Sequence, residues 1–280
     1  MLEVCVYGNP TLDWIVAGSE STTAYGGGVY YSTLPFQGSS LYKVSVYTVY
    51  SPRIHGHPVY RLPGVLQYSS AATVFKLVYN GASRTLYLKE KAPPLYPWNL
   101  SSSLCHIAIV NPVFHEVNES HLTAISSRTL LLAGDIQGFI RVSESNGKIT
   151  YASCSSSLIR LLRFFHLIHM DLDELKAFTC TSSIDEAVDK LKDTVGGTIV
   201  VVTGRLKPIR VVYNKASYSI SVDDSPLVND KTGAGDFFIG ATAKYFWSTW
   251  DPVRAVEKAH EETTRWLLEK NASSPPATLK

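Results

Sequence analysis

Cysteine is scarce in this chain: four residues in 280, at Cys5, Cys105, Cys154 and Cys180, with no C-x-x-C pair among them. Scattered singles support neither a disulfide framework nor a thiolate zinc site, and they fit a reduced, cytoplasmic setting. An excess of charge of one sign is also missing. A net charge of +2 gives no electrostatic case for nucleic acid as a main partner. No apolar run approaches the roughly 18 residues that a membrane span requires. The opening Leu2–Tyr7 segment is too short and too strand-like for a signal peptide. The histidines fall at no metal-ligand spacing on a helix, His55-Gly56-His57 being the nearest approach. Two nucleotide fingerprints are absent as well. There is no G-x-x-x-x-G-K-S/T, which excludes a P-loop kinase. The first strand ends in Gly8-Asn9-Pro10 and not in G-x-G-x-x-G, which argues against a dinucleotide-dependent oxidoreductase.

What remains is ample for a core. Hydrophobic residues make up 45% of the chain, and its length suits one large domain or one domain with an elaboration. Leu2–Tyr7, Trp14–Ala17 and Leu41–Tyr50 read as strands. Thr73–Tyr79 and Arg84–Glu90 flank Asn80-Gly81-Ala82-Ser83, a hairpin signal. From Cys105 onward strands and helices alternate: His106–Val110, Glu119–Ser127, Thr129–Ala133, His166–Met170, then Thr198–Val202. Such alternation predicts an α/β fold with a doubly wound, mostly parallel sheet and ligands at the carboxyl ends of its strands. Ser183-Ile184-Asp185-Glu186 has the pattern of a capping box opening a helix. Pro35 interrupts an early helical stretch for no reason visible in the sequence, and Asn271–Lys280 reads as a frayed tail.

The most informative stretch is Asn229-Asp230-Lys231-Thr232-Gly233-Ala234-Gly235-Asp236, which runs straight into the apolar, helically spaced Phe237–Phe246. A helix is expected to start near Ala234. Its first N–H groups lack intrahelical partners, and the macrodipole adds positive character at that end. Glycines leave the backbone open to close approach by an anion. Asp236 in the first turn would then stand beside a bound phosphate. Phosphoryl transfer to a hydroxyl needs this pairing: donors for the charge on the transferred group and a carboxylate for the proton.

Asp-x-Thr-Gly-Ala-Gly-Asp, late in the chain, resembles the C-terminal signature of the ribokinase-like (PfkB) carbohydrate kinases, with Lys231 standing where that family usually has Thr. The resemblance implies Asp236 as the base and the amides of Gly233, Ala234 and Gly235 as the anion hole. It also implies roles elsewhere. Gly8 followed by Asp13 matches a sugar-binding Asp after the first strand. The Gly26-Gly27-Gly28 run matches a glycine pair that contacts substrate through the backbone, with Tyr31 where many members have Asn. Asp135-Ile136-Gln137-Gly138-Phe139-Ile140-Arg141 resembles a segment of the archaeal inositol-kinase-like branch, making Gln137 and Arg141 substrate-side candidates. Asp171 and Glu174 stand where the family has Asn-x-x-Glu, whose Glu organises magnesium. Thr203, Gly204, Asp230 and Thr232 fall where the nucleotide is bound, with Gly204 one residue closer to Thr203 than usual.

The family fold further implies a single domain over 1–280 with a small β lid contributed by about 13–24 and 59–95, which covers the sugar and supports a homodimer. ATP and Mg²⁺ are the implied cofactors, with K⁺ as a further candidate. The expected substrate is a sugar or cyclic polyol, myo-inositol favoured. A nucleoside, ribose or fructose kinase stays open beside it, as does a sugar- or nucleotide-binding regulator without catalysis.

Overall fold

The computed structural model describes residues 1–81, 83–96, 104–152, 156–204, 207–222 and 230–273. Nine strands form one sheet, in the spatial order β5 (Gly64–Tyr68), β4 (Tyr42–Tyr50), β1 (Leu2–Tyr7), β8 (Cys105–Val110), β9 (Thr129–Asp135), β12 (Leu167–Asp171), β13 (Ile199–Gly204), β14 (Lys207–Tyr213), β15 (Ala216–Ile220). The first seven run parallel, and the β13–β14–β15 edge is antiparallel. Sequence explains this placement. Val-Cys-Val-Tyr in β1, Ile-Ala-Ile-Val in β8 and Ile-Val-Val-Val in β13 are apolar on both faces, as strands covered by helices on both sides must be.

Two cores result. On one face α2 (Glu119–Ser126), α5 (Leu172–Thr179) and α6 (Ile184–Thr194) bury Leu122, Leu175 and Leu191. On the other, α7 (Ala234–Thr249) and α8 (Pro252–Ser273) bury Phe237, Phe238, Ala255 and Ala259. From β1 the chain builds outward to β4 and β5, then returns to place β8 on the other side of β1. The order reverses there, and crevices at such switch points are where open α/β sheets bind ligands.

A second sheet, β3 (Glu20–Gly26), β2 (Thr11–Ala17), β6 (Thr73–Asn80), β7 (Ser83–Glu90), stands apart from the first. Phe75 and Leu77 on its inner face pack against Val113 and Phe114 after β8. Asp13 sits within β2 and not in a turn. The expected lid range of 59–95 is too wide: Gly64–Tyr68 pairs in parallel with β4 and extends the main sheet. A short hairpin, β10 (Arg141–Ser143) with β11 (Ile149–Tyr151), follows the turn-length helix α3 (Gln137–Ile140).

Four local readings change. Pro35 lies in a 3-10 turn, Leu34–Phe36, that follows the single-turn helix α1 (Gly28–Tyr31), so it interrupts no long helix. Ser183 precedes α6 but makes no side-chain cap, so the expected capping box is absent there. Reciprocal boxes form instead at Asn118 with His121 and at Asp171 with Glu174. The cysteine reading also needs correction. Cys5 and Cys105 form a disulfide, their Cα atoms 6.0 Å apart although 100 residues separate them in sequence. Spacing along the chain could not reveal a pair created by β1 lying beside β8. Asn271 lies within the last turn of α8 and so is not frayed, while the expected tail from 274 on lies outside the described residues.

Candidate active site

Every strand end at the switch point delivers a polar group. Behind β1, Asn9 accepts from Val49 N–H at 3.2 Å through its amide oxygen. Its own N–H donates to Glu116, whose carboxylate also accepts from the N–H groups of Val113 (2.7 Å) and Phe114 (2.7 Å). Glu116 is 1% exposed, so this anion is solvated by backbone alone and pins the loops after β1 and β8 together.

That pinning sets Asn111 at the end of β8. Its amide nitrogen donates to Asp236 Oδ1 at 2.9 Å and to Ser32 Oγ at 2.8 Å. Gln137, from the turn after β9, donates to the same Asp236 oxygen at 2.8 Å and to Asn111 Oδ1 at 3.1 Å. Arg141 in turn donates to Gln137 Oε1 at 2.5 Å and to the Val113 carbonyl at 3.0 Å. Burial pushes the Asp236 carboxyl up and the Asp135 charge adds to this. The Asn111 and Gln137 bonds and the Arg141 charge pull back, leaving it at about 6. A carboxylate with that value is ionised at neutral pH yet basic enough to take a proton.

Gly28 makes the approach feasible, because a Cβ there would lie 2.2 Å from Asn111 Oδ1. Gly233, just before α7, has φ +82° and leaves room for the Tyr31 ring, which a Cβ would meet at 2.5 Å. Thus Tyr31 serves as a wall of the turn that carries the glycines. Burial, with Asp236 nearby, pushes its phenol up. One anion-hole expectation changes: the Ala234 N–H donates to the Lys231 carbonyl at 3.1 Å, closing the turn. The first-turn donors of Gly233, Gly235 and Asp236 are left for an anion.

A single cavity of about 740 Å³ spans these groups. Asp13, Gly27, Gly28, Gln137, Arg141, Thr203, Gly204, Asp230, Thr232, Gly233, Ala234, Gly235, Asp236, Asp171 and Glu174 all line it. Gly26 does not: its carbonyl accepts from His57 Nε2 at 2.9 Å, while His57 Nδ1 accepts from Val59 N–H. Burial holds that imidazole down to about 4, so the histidine of the His-Gly-His segment is a neutral prop behind the glycine run. The lid contributes Phe75, Leu77, Tyr79, Arg84 and Leu86 to the roof. Beneath it the Asp13 carboxyl is raised by burial, against which Thr11, Arg141 and Arg84 act.

Acids gather at the other side of the cavity: Asp135, Asp171, Asp173 and Glu174. One oxygen each of Asp171 and Glu174 is taken by the α5 capping box, at 2.7 and 2.8 Å. Burial raises both carboxyls, and the Asp135 and Asp171 charges push Glu174 up further. A divalent cation would relieve that crowding. Among the described residues no three His, Cys, Asp or Glu groups converge into a cage. Asp171 and Glu174 alone would leave most of a metal ion's coordination shell to water.

Sequence reasoning missed Asn111, Ser32, Glu116 and His169. His169 lies between Asp135 Oδ2 (2.7 Å) and Thr203 Oγ1 (2.8 Å), directly under Gly235. Burial alone would lower this imidazole, but the Asp135 bond and charge outweigh it and raise it. No local pattern signals these residues; only the strand ends bring them together.

No family model matches the chain, and no curated relative does either. Solved structures do. A sulfate complex of a pyrophosphate-dependent kinase in the ribokinase family is 22% identical, covering 95% of this chain and 99% of its own, with a TM-score of 0.81. A complex of such a kinase with a pyrophosphate analog and myo-inositol is likewise 22% identical, with 95% and 99% coverage and a TM-score of 0.80. Ribokinase from Arabidopsis thaliana, with ribose and ATP, is 14% identical over 94% of this chain and 92% of its own, with a TM-score of 0.70. The chain has the ribokinase fold. Within the ribokinase fold, the cavity described above sits between the lid and the carboxyl ends of the parallel strands. Among the described residues no helix is long and apolar enough to cross a membrane.

Proposed function

We propose that this protein is a small-molecule kinase that phosphorylates a hydroxyl of a sugar or cyclic polyol, with Asp236 as the base. The observation that carries the reading is the Asp236 carboxylate at the first turn of α7, held by Asn111 and Gln137 within one cavity that also contains Asp13. Asp236 takes the proton of the attacking hydroxyl, and its value near 6 lets it do so at neutral pH. The N–H groups of Gly233 and Gly235 stabilise charge on the transferring phosphoryl group, with the α7 dipole behind them. Asp13 accepts hydrogen bonds from acceptor hydroxyls, and Gly27 and Gly28 line the cavity beside it. Arg141 holds Gln137 and carries positive charge toward the reacting end.

Glu174 and Asp171 would hold Mg²⁺, mostly through water; the ion supplies neutralisation of the donor's phosphate oxygens. Thr203, Gly204, Asp230 and Thr232, which line the same cavity, would border the phosphate donor. ATP is the donor expected from the motif. Inorganic pyrophosphate is a second donor reading, favoured by the likeness to pyrophosphate-dependent kinases of the same fold. Myo-inositol leads the acceptors, since a structure with that ligand is among the similar ones. We further expect a cytoplasmic location and a homodimer through the lid, whose outer strand β3 is exposed along most of its length.

The test is a matrix of donors (Mg-ATP and magnesium pyrophosphate) against acceptors (polyols, sugars, nucleosides), read by phosphorus NMR for a new phosphate monoester. Transfer to one acceptor class from either donor supports the reading and fixes both substrates. Binding of donor and acceptor with no ester in any well would overturn it in favour of a non-catalytic binding protein.

A further inference from the structure

The last turn of α8 reaches back to the loop that opens α7. Asp230 is gripped there through its main chain. Its N–H donates to Asn271 Oδ1 at 3.0 Å, and its carbonyl accepts from Asn271 Nδ2 at 3.1 Å. Its carboxylate does two jobs. Oδ1 accepts from the Thr232 N–H at 2.9 Å, and Oδ2 lies 2.8 Å from the Lys270 ammonium. The same ammonium donates to the Thr232 carbonyl at 2.8 Å. It also stands 5.7 Å from the Tyr31 ring centre and 5.4 Å from that of Trp266. Lys270 is 22% exposed against 53% for Asp230, so the cation is the sheltered partner and more than an ordinary surface pair.

The consequence lies in one peptide plane. The Thr232 carbonyl and the Gly233 N–H belong to the same trans peptide, so they point in opposite directions. Holding that carbonyl on Lys270 turns the Gly233 N–H away from α8. Gly233 itself, at φ +82°, puts little steric resistance in the way of the plane rotating. An external restraint is therefore what fixes it. Tyr31 shares the task, filling the space beside Gly233 while lying under the ammonium.

We propose that Lys270 is a positioning residue whose ammonium, assisted by Asn271, sets the anion-binding turn at 230–236, so that the chain supplies from α8 the cation that a soluble monovalent ion would otherwise have to provide. A carboxylate oxygen, a peptide carbonyl and two aromatic faces are donors that K⁺ or ammonium would equally accept. Only the kinetic consequence rests on the kinase reading; the structural one stands by itself.

The test begins with amide hydrogen exchange on the ligand-free protein. In Lys270→Met, which keeps the apolar stem on Tyr31 and Trp266, exchange across 231–236 rises about tenfold or more, as expected for losing a charge-assisted bond. Exchange in the later turns of α7 stays at the wild-type level. In Lys270→Ala, added K⁺ or ammonium restores the protection, whereas the wild type responds alike to K⁺ and Na⁺. With substrates present, Lys270→Met loses about tenfold or more in kcat at an unchanged acceptor KM, by the same magnitude, and the ion restores turnover to Lys270→Ala. Wild-type exchange in Lys270→Met would overturn the proposal. So would exchange raised equally along α7 and α8, or a loss that neither ion restores. Because exchange is read without substrate, a wild type that transfers no phosphate counts against the kinase reading and leaves this inference to be decided by the exchange data.

Discussion

At the scale of single residues, the site is an exercise in setting one carboxyl. Asp236 is pushed up to about 6 by burial and by Asp135, and restrained by Asn111, Arg141 and Gln137. The sign follows directly. In the proposed role Asp236 works as the carboxylate, so kcat/KM in the free enzyme is expected to fall as the pH drops through about 6 and to stay level above it. Asn111→Ala removes a bond made to the charged form, which disfavours that form. The acid limb then moves to higher pH by about one unit, as a lost bond to a charged group implies. A limb that stays put would mean that Asn111 does not tune the base. Asn111 was not legible in the sequence, where Asn-Pro at a strand end reads as a turn. Asp236 was, because the glycine pattern and the helix start surround it within a few residues. The difference is one of range: Asn111 reaches Asp236 across 125 positions of chain, and Gln137 does so across 99.

At the scale of elements, apolar periodicity located most strands and helices to within a residue or two. Thr73–Asn80 and Ser83–Glu90 flank the expected hairpin, and α7 begins at Ala234. Caps were harder to read. Ser183 has an extended N-cap backbone and the right spacing to Glu186, yet its side chain makes no cap hydrogen bond. Asp171, read as a metal ligand, closes the reciprocal box with Glu174. Ser183→Ala is therefore expected to leave the melting midpoint almost unchanged. Asp171→Ala should cost about 1 kcal/mol, the usual value of an N-cap. Equal effects in urea unfolding would contradict this assignment of the caps. The metal role proposed for Asp171 is compatible with this cap, since the box uses one oxygen and the residue lines the cavity.

For the whole molecule, the doubly wound sheet followed from strand–helix alternation, while the strand order did not. Which strands become neighbours decides both the switch point and the Cys5–Cys105 bond, and neither is encoded in spacing. That disulfide joins β1 to β8 and closes a loop containing the entire lid. A loop of 100 residues corresponds to about 4–5 kcal/mol of unfolded-state entropy. The Cys5→Ala, Cys105→Ala double variant should melt on the order of 10 °C lower, given the size scaling of midpoint shifts. An unchanged midpoint would show that packing between β1 and β8 suffices alone.

The most direct measurement is turnover of Asp236→Asn beside the wild type, on whichever donor and acceptor the wild type uses. Asn keeps an oxygen that can accept from Asn111 and Gln137, so the fold and the cavity are preserved while the proton acceptor is lost. A fall in kcat of about 10²–10⁴-fold with donor and acceptor binding intact is the expected result. Turnover within a few fold of wild type would contradict the assignment of Asp236 as the base.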